Sequence, residues 1–368
     1  MMERAQISAW QFFVLVFGYL LGTSFFFRPG GLIVIAKQDA WIVPLWAGVA
    51  GILMSLLWMH LADYYPGLSI VQICTQAGGR VIGGVMALMY IGYFVHLSSL
   101  ITRNLGDFMS LTLMPRTPLT VFHLMLLIVT VYAVIKGVEA IARTTEVMFP
   151  IVTLTFMLIF LLALPEWNWN RFQGMFQFDV WSTMKESRSI FGFPYMEAIT
   201  LMMLFPYIQR QRKGVFLLGI IVTTLLLSLI TFFMIGVLGV TRASHTTYPL
   251  FLIVQEIQIG TFIEHLDSTI ALILVIAIFI KLTVAYYSAV IGLSQLFQLR
   301  DRSWLAFSLI FLVAGLALGF DNILQNITFA REYYFEYMLL FAIIFPVILL
   351  VITRLKQIIG NTKRGSES

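Results

Sequence analysis

Apolar runs follow one another from residue 9 to residue 354, separated by short polar stretches that hold most of the charge. Roughly 20 apolar residues carry a helix across a bilayer. On that measure the pattern predicts ten spans: 9–36, 40–62, 80–110, 118–136, 145–164, 186–207, 214–238, 266–298, 303–319 and 332–354. Two more apolar stretches are too short or too charged to cross. PGLSIVQICTQAGGR (66–80) reads as an interfacial helix ending at Gly78-Gly79, and YPLFLIVQEIQIGTFIEHLD (248–267), dotted with Glu256, Glu264 and Asp267, as a helix lying in a loop.

The first and sixth spans are interrupted. GTSFFFRPGG (22–31) places Gly22, Arg28, Pro29, Gly30 and Gly31 inside one apolar run, and IFGFPYMEAITLMMLFPYI (190–208) places Gly192 and Pro194 inside another. Proline removes a backbone donor and glycine relaxes the chain, while an unpaired peptide group in hydrocarbon is costly. Breaks at matching positions, five spans apart, predict two halves of five spans, about 8–165 and 184–355, with a binding site where the backbone unwinds near mid-membrane. The half-helix that resumes after each break offers N–H groups and a positive dipole end, suited to an anionic group such as a carboxylate.

Composition agrees. The chain of 368 residues is 60% hydrophobic and 11% charged, with mean hydropathy +0.92, against about a quarter charged in an average soluble domain. Residues 1–368 read as a single polytopic membrane domain with a short tail at 356–368. The first span is expected to stay in the mature protein, because MMERAQISAW lacks the features of a cleaved leader. Thirteen Lys and Arg fall on the side of the termini against eight on the other, QRQRKG (209–214) being the clearest cluster. The positive-inside rule then expects both termini in the cytoplasm. The net charge of +5 is therefore a matter of topology and not of nucleic-acid binding. A single cysteine, Cys74, excludes an intramolecular disulfide and a cysteine-based metal site. No metal-ligand cluster, nucleotide-binding glycine loop or catalytic triad is visible, so neither a cofactor nor enzymatic activity is expected.

FPYMEAITLMMLFPYI (193–208) resembles the sixth-span signature of the spore germination B-subunit family, the spore permeases. YPGLSIVQICTQAGGRVIGG (65–84), ITRNLGDFMSLTLMPRTP (101–118) and FIKLTVAYYSAVIGLSQLF (279–297) agree with it. The resemblance covers nearly the whole chain. It places the protein within the amino acid–polyamine–organocation transporter superfamily and implies an all-α membrane fold of ten transmembrane helices, a LeuT-like 5+5 inverted repeat with helices 1 and 6 broken. It further implies a sensor of a small nutrient, an amino acid or sugar, that triggers germination with A and C subunits in the spore inner membrane. A proton- or sodium-coupled amino acid transporter is the alternative. The first break departs from the family pattern in Thr23, Ser24 and the Phe25-Phe26-Phe27 run before Arg28.

The expected ligand-binding residues are Gly22, Thr23 and Ser24 at the first break and Phe191, Gly192, Phe193 and Pro194 at the second. Tyr90, Phe94 and Ser98 join them from a helical stripe on the third span that also holds Leu97 and Ile101, and Tyr286 from the eighth. Ionisable residues inside spans form an expected gating or charge network. Lys281 is deep in the eighth span, where the fold class brings it to the first break, and Glu197 follows the second break within a turn. Arg28 can snorkel to the outer interface or gate it. Arg103 and Asp107, spaced i, i+4, can pair on one helix face.

Overall fold

The computed structural model describes residues 5–177, 181, 183–184, 188–208, 212–257, 266–299 and 301–365, and it is helical throughout. Among the described residues, seven helices are long and apolar enough to cross a membrane, and Ala9–Leu21 and Ser303–Ala317 are shorter apolar helices. Set against the expected spans, these together with the short pieces over 188–203 account for all ten segments. Ser24–Ala36 continues through a 3-10 turn (Lys37–Ile42) into the second span, Val43–Tyr64. The third to fifth are Gly84–Phe108, Leu119–Lys136 and Val138–Ala163. The sixth is pieced together from residues 188–203, the seventh is Arg212–Ser244, the eighth Leu266–Leu296 and the ninth Ser303–Ala317. The tenth is the run Ile323–Ile359.

The first helix starts where Ser8 and Gln11 form a reciprocal capping box, and it ends at Gly22. There φ is +28°, a backbone region that favours glycine. Gly22 still donates its N–H to the Gly18 carbonyl, 2.8 Å away. The second half begins at Ser24, and Pro29 lies inside it. The break is therefore at residues 22–23, and Pro29, Gly30 and Gly31 do not extend it as the sequence suggested. Gly30 instead lets this half-helix approach the chain at Thr246 and Pro249, where an added Cβ would sit 3.1 and 3.2 Å from their atoms.

The sixth span breaks at Phe193, whose φ −131° and ψ +112° are extended within the turn Phe191–Tyr195. Proline at 194 pushes its predecessor out of the helical region. A 3-10 helix, Met196–Met203, follows.

The third span packs on the eighth and fourth, while the first half-helix packs on the seventh, fifth and eighth. The eighth span is thus central, with Ile278, Leu282, Ala285 and Tyr287 fully buried. The expected interfacial helix is Ile70–Gly78, capped by Ser69 and ended at Gly79 with φ +74°. Of the stretch expected as a loop helix, Pro249–Glu256 is helical, and 258–265, with Glu264, lie outside the described residues.

Candidate functional site

The two breaks meet the eighth span at one point. Lys281 is fully buried, and its side chain presses on Gly22, where an added Cβ would lie 2.5 Å from Lys281 Cδ. Its Nζ is 2.5 Å from Glu197 Oε2. The contact is a buried ion pair. Glu197, 2% exposed, accepts a second contact at Oε1 from the Tyr334 hydroxyl, 2.5 Å away. Its backbone carbonyl accepts from the Tyr19 hydroxyl at 3.1 Å. Glu197 thus ties together four spans, the eighth and tenth through its carboxylate and the first through its backbone carbonyl. Burying such a pair is costly unless other contacts support it; here Tyr334 serves Glu197 Oε1, and Lys281 Nζ lies over the rings of Tyr19 and Phe193.

Phe193, the extended residue of the second break, lies under two cations. Lys281 Nζ is 4.1 Å and Arg28 Cζ 4.3 Å from its ring centroid, within the range of cation–π attraction. Arg28 is half-buried. Its Nε and Nη2 are buried and find no hydrogen-bond partner among the described residues, and the same holds for Thr23 Oγ1.

These groups line a small cavity of about 40 Å³. Its polar wall is Thr23, Arg28, Asn104, Glu197, Lys281, Asn326 and Tyr334. Leu97, Leu100, Ile101, Phe193, Phe329 and Ala330 make the apolar wall. A second cavity of about 280 Å³ lies beside it, among the ends of helices remote from the termini. Arg28, Asn104, Phe193, Asn326 and Ala330 line both. They form a septum between an inner cavity and an outer vestibule.

A polar lock flanks the septum. Arg103 Nε meets Asp107 Oδ1 at 2.7 Å, and both residues are buried. Arg103 Nη1 donates to the carbonyls of Ala317 and Phe320 at 3.2 and 2.7 Å. Asn326 Nδ2 donates to Asn104 Oδ1 at 3.0 Å and to Asp107 Oδ2 at 3.2 Å. The lock fastens the third span to the corner between the ninth and tenth. On the side of the termini, Phe12, Phe205 and Phe216 pack with centroids 5.6–6.2 Å apart. There the Ile7 N–H also donates to the Tyr207 carbonyl at 2.9 Å.

Of the expected ligand residues, Thr23 and Phe193 line the inner cavity, as do Arg28, Glu197 and Lys281 from the charge network. The others lie elsewhere. Ser24 Oγ bonds the Leu20 and Leu21 carbonyls one turn back. Gly22 faces Lys281, and Gly192 faces the backbone of Phe335. Phe191 is half-buried and Pro194 buried, both off the cavity wall. Tyr90 donates to the Phe341 carbonyl at 2.7 Å and stacks with Phe94, while Ser98 bonds the Phe94 carbonyl. Tyr286 turns away to the Ala306 carbonyl, 2.6 Å distant. Arg103 and Asp107 stand in the lock.

The third-span stripe runs deeper than its aromatic members suggested. The wall residues are Leu97, Leu100, Ile101 and Asn104, spaced i, i+3, i+4, i+7 on one helix face. Asn326, Phe329 and Ala330 escaped notice because the apolar run that marks the tenth span starts later, at 332, and Tyr334 because it lies inside that run with nothing in its neighbours to single it out. The helical spacing of Asn326, Ala330 and Tyr334 was the signal available. Among the described residues, no group of three or more His, Cys, Asp or Glu is placed to hold a metal ion.

Two broken helices crossing at a charged cavity are the architecture of LeuT-fold transporters, and solved structures agree. MhsT in complex with L-phenylalanine superposes with a TM-score of 0.70 over 95% of this chain and 99% of its own, at 14% identity. Mhp1, a nucleobase-cation-symport-1 family transporter with bromovinylhydantoin bound, gives 0.58 over 91% and 75%, at 11% identity. Among proteins compared by sequence, spore germination protein KB of Bacillus subtilis (strain 168) is 26% identical over the full length of both chains. Spore germination protein B2 of the same organism is 24% identical over 82% of this chain and 83% of its own. The fold and these relatives are those of permeases and transporters, integral to the membrane. The model of the spore permease family, described as spore germination protein, matches residues 6–325, and the chain belongs to that family.

Proposed function

We propose that this chain is the B subunit of a germinant receptor. It senses a small nutrient, an amino acid or sugar, at the cavity between the broken first and sixth helices, and it triggers germination with A and C subunits. The observation that carries the reading is the small cavity at the crossing of the two breaks, walled by Arg28, Glu197 and Lys281, in a chain of the spore germination family. A ligand there touches the first, third, sixth, eighth and tenth spans at once, so it can favour one arrangement of the bundle by its differential affinity for the two. The change would pass to the partner subunits through the helix ends. On this reading the protein sits in the spore inner membrane with both termini in the cytoplasm.

Proton- or sodium-coupled amino acid transport is the second reading, favoured by the full-length superposition on MhsT. The Lys281 stem already fills the space beside Gly22 and its ammonium meets Glu197, which leaves a coupling cation little room there. Germination of spores lacking this chain, followed as loss of optical density against a panel of amino acids and sugars, separates the two. Selective loss of one nutrient response, with normal uptake of that nutrient in growing cells, is the expected result. Unchanged germination with reduced uptake would transfer the assignment to a transporter.

A further inference from the structure

The last helix, Phe345–Gly365, carries Arg354, Lys356, Lys363 and Arg364 and no acid. Val347, Val351, Leu355 and Ile358 are exposed on it, three or four positions apart, and form one apolar stripe. Arg354 and Lys356 are exposed within the last turns of that stripe, with exposed apolar residues before and after them. Cations placed in this way mark the depth at which hydrocarbon gives way to headgroups. Their stems lie along apolar surface while their charges reach polar surroundings.

The interfacial helix Ile70–Gly78 ends in a segment of the same make-up. It runs into the turn Gly79–Gly83, where Arg80, Val81 and Ile82 are exposed. The two segments meet. Lys356 Nζ lies 3.5 Å from the Gln76 carbonyl, in the last turn of the interfacial helix, and Thr353 Oγ1 is 2.7 Å from the Tyr65 hydroxyl. Arg354 Cζ is 5.2 Å from the centroid of the Tyr64 ring. Among the described residues, none of Arg80, Arg354 and Lys356 is paired with an acid, and Asp63, at the end of the second span, is taken by Lys213, 2.5 Å away.

We propose that this corner, on the face of the termini, binds a phospholipid with an anionic headgroup. Arg80, Arg354 and Lys356 receive the headgroup, and the acyl chains follow the exposed stripe of the tenth span. The site is separate from the cavity at the two breaks and does not rest on the nutrient-sensing reading. The interleaving of charge with exposed apolar side chains favours a lipid over an acidic protein segment, which would meet the cations and leave the stripe uncovered. A zwitterionic headgroup brings a cation of its own and gains less. The tenth span also carries Tyr334, which holds Glu197, so a lipid bound at its end bears on the arrangement of the broken helices.

The test uses the full chain, purified in a neutral detergent. Thermal unfolding is followed as short-chain phosphatidylglycerol, short-chain phosphatidylcholine or sodium phosphate is added. The expected result is that phosphatidylglycerol raises the melting temperature at concentrations where the other two do not, and that added salt weakens its effect. Arg354→Gln and Lys356→Gln should each raise the lipid concentration for a half-maximal shift about fivefold, and together about 25-fold. Arg354→Lys combined with Lys356→Arg should respond as the parent does, which separates charge from the contacts to Tyr64 and Gln76. Arg116→Gln, at an exposed position on the opposite face, is the control. Each shift is read from the variant's own melting temperature without lipid, so a less stable variant still reports. Equal stabilisation by the two lipids, an unchanged midpoint in the double Gln variant, or an equal loss in Arg116→Gln overturns the proposal. An equal effect of sodium phosphate would make the ligand a free anion and overturns the lipid. A lipid response unmoved by the substitutions, with a particle mass in light scattering that falls when they are made, would assign the corner to a second copy of the chain.

Discussion

Lys281 is fully buried, and Glu197, 2.5 Å away, is nearly so. Both are withdrawn from water, so each depends on the other. Removing one member of a buried pair costs about 3–5 kcal/mol, because the survivor is left charged without a partner. Glu197→Gln and Lys281→Met should therefore each lower the melting temperature of the purified protein markedly. The double variant should recover much of the loss, since it removes both charges together. Strict addition of the two single effects would show that the pair is not energetically coupled. Lys281 and Glu197 were legible in the sequence because an ionisable residue inside an apolar span stands out. Their pairing was only one of several partnerships the sequence allowed. Arg28 was legible as an unusual residue but not as a cavity wall, since position along a helix does not say how far its side chain travels. Tyr90 and Tyr286 misled for the same reason: a polar tip on an apolar stripe looks aimed at a ligand, yet each donates to a backbone carbonyl of a neighbouring span.

At the scale of elements, the two breaks differ in what sustains them. The first depends on a residue without a side chain. Gly22 has φ +28°, and a Cβ there would lie 2.5 Å from Lys281 Cδ and 2.8 Å from the Tyr19 carbonyl oxygen. Gly22→Val should thus lose stability through backbone strain of about 1–3 kcal/mol, with the displacement of Lys281 added to it, and should abolish nutrient response. Gly31, one turn past Arg28, is the control. An added Cβ meets nothing within 4 Å there, and Ala favours a helix over Gly by about 0.5–1 kcal/mol. Gly31→Ala should melt at or above the parent temperature and respond normally. Equal damage from both substitutions, read as melting temperature and spore optical density, would show that the conformation at residue 22 is not special. The existence and approximate place of both breaks were visible in the sequence. Their extent was not. Pro29 looked like a breaker and lies within a helix, while the unwound point falls at Gly22-Thr23. A proline in a membrane helix can be accommodated where neighbouring groups compensate for its missing donor.

Across the whole molecule, the two cavities stand in series. The vestibule is lined from Gly30 and Ile35 to Ile327 and Arg331, and the inner cavity lies behind Arg28 and Phe193. Beyond it, toward the termini, the Phe12–Phe205–Phe216 cluster and the Ile7–Tyr207 bond close the bundle. Inverted halves allow this plan because the two broken helices cross near the middle, and the order of the apolar runs was enough to anticipate that crossing, though not the two cavities. What the runs could not give is which face is closed, because closure is set by contacts between residues far apart in the chain, such as Arg103 with Phe320 and Asn104 with Asn326. The arrangement predicts a gradient of access. The one native cysteine, Cys74, is buried and can be replaced by Ala to give a clean background. Ile327→Cys, at a vestibule position 37% exposed, should react readily with a charged, membrane-impermeant thiol reagent supplied from the face opposite the termini. Thr23→Cys, at a fully buried position behind the septum, should react much more slowly. Adding Arg28→Ala removes the side chain that lines both cavities, and should bring the rate at residue 23 toward that at 327. Equal rates in the two single-cysteine proteins, with Arg28 in place, would mean that Arg28 and Phe193 do not separate the cavities. A rate at residue 23 that is unmoved by Arg28→Ala would place the barrier at Phe193 and the Asn104–Asn326 bridge instead.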